Sequence, residues 1–125
     1  MSSRGRTTME LDLFAGVAVG DLDRAVAWYD RLLAGAESFL PNDTEKVWTL
    51  AERRHVYVEL APERAGSAMV TLFLADPEPF VAAAAGHGIE PVHRETYENG
   101  VRKFLFTDPD GNEIGIGGPP VEAAR

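Results

Sequence analysis

The strongest constraint on the fold of this chain is a change of period that occurs twice. Residues 14–19 form a short apolar run that stops at Gly20-Asp21, and residues 68–74 form another that stops at Asp76-Pro77. The length of each run and its stop signal favour a strand over a buried helix. After the first stop the spacing turns helical: Leu22, Ala25, Val26, Trp28, Tyr29, Leu32 and Leu33 fall on one face, with Asp21 as N-cap and Gly35 beyond the end. After the second, Phe80, Val81 and an alanine run predict a helix over 77–86, with Pro77 near its first position. Setting Asp21 on Asp76, 55 residues apart, matches Val17 with Leu72, Val19 with Leu74 and Val26 with Val81.

Three strand-like segments follow each helix. In the first half they are 36–41, 45–51 and 55–60, the first two separated by the turn residues Pro41-Asn42-Asp43. In the second half they are about 89–97, 101–107 and 113–117, with turns at Asn99-Gly100 and Asp108-Pro109-Asp110-Gly111-Asn112. The chain therefore reads as an α+β fold of two β-α-β-β-β modules, about 11–60 and 68–117. A module this small cannot easily bury its sheet alone, so both are expected to share one core within a single domain, 11–117. Residues 1–10 are expected to be a flexible leader and 118–125 a tail.

Composition excludes more than it identifies. With 125 residues the chain has the usual length of one domain. The absence of Cys removes disulfides, thiolate metal sites and a cysteine nucleophile. Twenty acidic residues against twelve Lys plus Arg, a net charge of −8, argue against nucleic acid or an anionic membrane as partner. Arg4 and Arg6 are not followed by an apolar segment of the kind that directs secretion, so the cytoplasm is the default compartment. There is no Gly-rich phosphate loop and no serine in a nucleophile-elbow setting.

Two stretches carry a family resemblance. Phe14-Ala-Gly-Val-Ala-Val-Gly-Asp-Leu-Asp-Arg-Ala-Val-Ala-Trp-Tyr29 resembles the opening strand and helix of the vicinal oxygen chelate superfamily, and Phe104-Leu-Phe-Thr-Asp-Pro-Asp-Gly-Asn-Glu-Ile114 resembles its closing hairpin. That superfamily includes glyoxalase, bleomycin- and fosfomycin-resistance proteins and extradiol dioxygenases. The resemblance covers about 11–117. It implies a cupped, mostly antiparallel mixed sheet with helices outside and the site inside, and a homodimer in which modules of two chains complete each cup. It also implies four metal-ligand positions. Here they fall on Phe14, Met69, Gly115 and one of His55, Tyr57 or Glu59. Phe and Gly offer no donor and Met only a soft one, so no metal cofactor is expected, with a divalent cation kept as the alternative.

Alternation assigns the faces. If Val17, Val19, Val56, Val58, Val70, Leu72, Ile114 and Ile116 face the helices, the cup is lined by Phe14, His55, Tyr57, Glu59, Met69, Thr71, Phe73, Glu113 and Gly115, with Gly16 and Gly117 leaving room. Trp48 is expected to join this lining from the neighbouring strand, and the resemblance to resistance proteins adds Lys103 and Leu105. Such a cavity suits a small apolar or aromatic ligand. Each polar group also has a plainer reading: His55 as a strand-end residue beside Arg53 and Arg54, Glu59 as the ion-pair partner of Lys103 or an arginine. Two functions follow. One is a metal-free small-molecule-binding protein. The other is a lyase, isomerase or dioxygenase-type enzyme using His55 and Glu59 as acid and base or as metal ligands. An interaction module with a vestigial cup is a third.

Overall fold

A computed structural model describes residues 9–121. The expected leader falls mostly outside the described residues, as do residues 122–125 of the expected tail. The elements are β1 (Leu13–Val19), α1 (Leu22–Leu32), β2 (Glu37–Asn42), β3 (Glu45–Ala51), β4 (Arg54–Leu60), a 3₁₀ turn (Pro62–Arg64), β5 (Met69–Phe73), α2 (Glu78–Gly86), β6 (His93–Thr96), β7 (Arg102–Thr107) and β8 (Glu113–Gly118). Among the described residues they form two four-stranded mixed sheets, ordered β1-β4-β3-β2 and β5-β8-β7-β6. In each, one parallel pair (β1 with β4, β5 with β8) joins an otherwise antiparallel sheet. The duplicated β-α-β-β-β order of the sequence is the architecture of the molecule. Among the described residues no helix is long and apolar enough to cross a membrane.

The local signals act where the residues place them. Asp21 caps α1, its side chain accepting from the Arg24 amide at 3.1 Å, and the Asp76 side chain accepts from the Glu78 amide at 3.2 Å. The strand expected over 89–97 shortens to His93–Thr96. Pro91 cannot donate to a ladder, and Ile89 turns inward to join the core instead. At the other end β8 runs to Gly118, and Arg102 donates to the Pro119 carbonyl through Nε and Nη2, so the expected tail begins tied down.

One core serves both modules. Val17, Val19 and Val58 of the first sheet, Phe104, Phe106, Ile114 and Ile116 of the second, and Ala25, Tyr29, Leu32, Val81 and Ala84 of the helices are all buried in it. The core lies on the helix side of both sheets, and their other faces carry the exposed Phe14, Met69 and Phe73.

The closing turn, read from the sequence as a polar turn, is instead a buried knot between the modules. Asn112 is 0% exposed and uses its whole side chain. Its Oδ1 accepts from the amides of Gly66 and Ala68, while Nδ2 donates to the Ala18 carbonyl and to Asp108 Oδ2, all within 3.1 Å. Asp108 in turn accepts the Tyr29 hydroxyl at 2.7 Å and the Asp110 and Asn112 amides at 2.9 Å. Burial, the Asp108 charge and hydrogen bond, and the Asp110 charge together hold the Tyr29 phenol protonated well above its ordinary range.

Candidate functional site

The parallel and antiparallel registers fix which side chains share the open faces. In the first module Phe14 lies opposite His55 and Gly16 opposite Tyr57 across β1 and β4, and Thr49 of β3 lies opposite His55. The Phe14 and His55 rings stack at 4.2 Å and 17°, and Phe14 meets Tyr57 edge-on at 6.4 Å. Tyr57 lies across Gly16, where a Cβ would come within 2.5 Å of its Cζ. The glycine leaves the space that the Tyr57 ring occupies.

His55 is held at both ring nitrogens. Nε2 lies 2.8 Å from Asp12 Oδ2 and Nδ1 lies 3.0 Å from Thr49 Oγ1. A carboxylate only accepts, so Nε2 carries a proton; in the neutral ring Nδ1 then accepts the Thr49 hydroxyl. Asp12 and Thr49 are absent from the sequence-level candidates. Glu59, on the same face, has no hydrogen bond or ion pair among the described residues, so the pairing with Lys103 or an arginine does not form. Glu59, Tyr57, Gly16 and Arg64 instead border a recess of about 220 Å³.

In the second module Met69, Thr71 and Phe73 of β5 stand beside Glu113, Gly115 and Gly117 of β8, with Lys103 and Leu105 of β7 on the far side. Met69 is 79% exposed, Phe73 61% and, on the first module, Phe14 47%. Lys103 stretches across Gly115, where a Cβ would meet its Cε at 2.8 Å and Thr71 Oγ1 at 3.2 Å.

Trp48 corrects the sequence reading. It is 1% exposed and faces the helices: it pairs with Val56 on the core side, and its indole Nε1 donates to Asp30 Oδ1 of α1 at 3.0 Å. Lys46 reaches the same carboxylate at 3.2 Å, which makes Trp48 part of the α1 docking surface and removes it from the open face.

The implied ligand positions carry Phe14, Met69, Gly115 and one of His55, Tyr57 or Glu59. Among the described residues no group of three or more His, Asp or Glu side chains converges. Both His55 nitrogens are engaged, Phe14 covers its ring, and the Lys103 ammonium lies over Gly115.

Between the unpaired edges of β1 and β5 runs a cleft of about 610 Å³, lined chiefly by Leu13, Leu33, Leu50, Val70, Leu72 and Phe80. His55, Thr71 and Phe73 also line it, so the cleft borders the aromatic row.

The model of the Glyoxalase/Bleomycin resistance protein/Dioxygenase superfamily matches residues 11–116, and the chain belongs to that superfamily. A glyoxalase / bleomycin resistance protein from Catenulispora acidiphila is 49% identical, with a TM-score of 0.85 over 89% of this chain and 100% of that one. A lactoylglutathione lyase from Agrobacterium tumefaciens, 17% identical, superposes with a TM-score of 0.74 over 94% and 99%. A bleomycin-binding protein complexed with bleomycin, 19% identical, gives 0.69 over 90% and 98%. The last two show the fold alone. Comparison with curated proteins returned no match.

Proposed function

We propose that this chain is a small-molecule-binding protein that takes an apolar or aromatic ligand on its open faces without a resident metal. The observation that carries this reading is the placement of the exposed apolar side chains: Phe14, Met69 and Phe73 stand on the open faces of the two edge strands, β1 and β5. Side chains of that size cost free energy in water, at about 25 cal/mol per Å² of apolar surface, and a ligand or a second subunit relieves that cost. The similarity to a bleomycin-binding protein supports the ligand class only at the level of the fold.

A second copy of the chain closes the cup. β1 and β5 each leave one hydrogen-bonding edge without a partner strand in the sheets, and the cleft between them is apolar. Edges of this kind are satisfied by another chain. Bringing β1 of one copy beside β5 of the other sets the Phe14–His55–Tyr57 row against the Met69, Phe73 and Gly115 wall.

The test is a thermal-shift screen of planar aromatic compounds. A ligand at 100 times its dissociation constant adds roughly 2.7 kcal/mol to the folded state, and Phe73→Asp should cancel the shift while the fold survives. A shift unchanged by that substitution would place the site elsewhere. Calorimetric titration with nickel, zinc and manganese covers the metal: stoichiometric binding that is lost in Glu59→Ala would overturn the metal-free part.

One observation favours a second reading as an acid–base enzyme, the Asp12–His55–Thr49 chain. Its three groups have the geometry of an oriented base beside a hydroxyl. Turnover of an aromatic ligand that falls at least a hundredfold in both His55→Gln and Thr49→Val would establish it over simple binding.

A further inference from the structure

The open face of the second module sets Thr71, Lys103 and Glu113 among Met69, Phe73 and Leu105. Lys103 lies opposite Gly117 on β8 and opposite Glu95 on β6, and its chain runs over Gly115 so that Nζ would stand 3.6 Å from a Cβ placed there. Thr71 Oγ1 approaches the same spot from β5, at 3.2 Å. The glycine therefore acts as a floor over which one ammonium and one hydroxyl meet. Lys103 is half-buried, and among the described residues no carboxylate lies within ion-pair distance of it. Glu95, its cross-strand neighbour, pairs with His93 at 3.6 Å instead. Glu113, on the same face, lies opposite Met69 and Thr107 and makes no ion pair.

This half-buried lysine shares its face with Met69, Phe73 and Leu105 and has no counter-ion among the described residues. The chain as a whole carries a net charge of −8, so this cation is not part of a general basic surface that would collect anions of any kind. A lysine offers three donors on a flexible stem and suits a single oxyanion, with the Thr71 hydroxyl as a second donor. The flanking apolar side chains suit a ring rather than a sugar or a phosphate chain.

We propose that Lys103 and Thr71 form an anion-binding subsite over Gly115 that selects aromatic carboxylates among the apolar ligands of this face. The proposal rests on the reading of that face as a small-molecule site, and its test separates the two. The probes are 2-naphthoate and neutral 2-naphthamide, titrated by calorimetry into the full chain at low and high salt.

The wild type is expected to bind naphthoate at least about tenfold more tightly than the amide, as a charge-assisted hydrogen bond allows, with the preference shrinking in high salt. Lys103→Met should abolish the preference. Gly115→Ala keeps the charge but drives the lysine chain off its floor, and should weaken naphthoate selectively. Circular dichroism checks that both variants fold. Equal affinities in the wild type, or a preference that survives Lys103→Met, would overturn the subsite and leave the site itself standing. No binding of either probe would overturn both.

Discussion

Asn112→Ala tests the joint between the modules. In the wild type the side chain satisfies the Gly66 and Ala68 amides, the Ala18 carbonyl and one oxygen of Asp108, and it is wholly buried. Truncation leaves four groups without that partner where water has little access. Each unsatisfied buried group costs about 1–3 kcal/mol. Relaxation and a water entering the gap recover part of it, so the net loss should be about 3–5 kcal/mol, at the high end for a single substitution. For a domain of this size that is a fall in Tm of roughly 10–20 °C. Urea titration followed by far-UV circular dichroism measures it, with the slope unchanged if unfolding stays two-state. Asn112→Asp keeps the acceptor but sets a second carboxylate 2.9 Å from Asp108, and should cost as much or more. A loss below about 1 kcal/mol in Asn112→Ala would refute the claim that this turn ties the halves together.

Three further outcomes follow from named contacts. Tyr29 is raised in the folded state, so its contribution is complete below the unfolded pKa of about 10; above that, stability should fall by up to about 1.4 kcal/mol per pH unit, and Tyr29→Phe should flatten this slope in alkaline urea titrations. Leu13→Glu, at an exposed position lining the apolar cleft, should convert the proposed two-chain particle to one chain by sedimentation equilibrium without unfolding it; a mass equal to that of the wild type would contradict the proposed interface. Trp48→Phe should cost about 1–2 kcal/mol through the lost bond to Asp30 and the smaller ring, while ligand affinity stays within about twofold; a large affinity loss would return Trp48 to the site.

Much of the fold was legible because strand and helix periods report burial directly. Val17 and Val19 alternate with Gly16 and Ala18, and the buried pair faces the helices as alternation requires. Trp48 escaped this logic because its neighbour Val47 is also buried, so β3 carries no clean period; only its pairing with Val56 decides the face. Asp108 and Asn112 have the residue types of a solvated turn, and their burial arises from Tyr29 and Ala18, 79 and 94 positions away. Asp12 reaches His55 over 43 positions through the parallel register of β1 and β4, which no local pattern encodes. The open-face residues legible in advance were those fixed by alternation alone, Phe14, Met69 and Phe73 among them.

The central claim is that an apolar ligand lies against the open faces, and methionine methyl NMR tests it most directly. The chain has three methionines, of which Met69 alone stands on an open face among the described residues, while Met9 precedes β1. Titration with an aromatic ligand should move the Met69 methyl resonance by ring current, saturably and at the concentration given by calorimetry, and leave Met9 in place. Saturable binding with an unmoved Met69 would contradict the account.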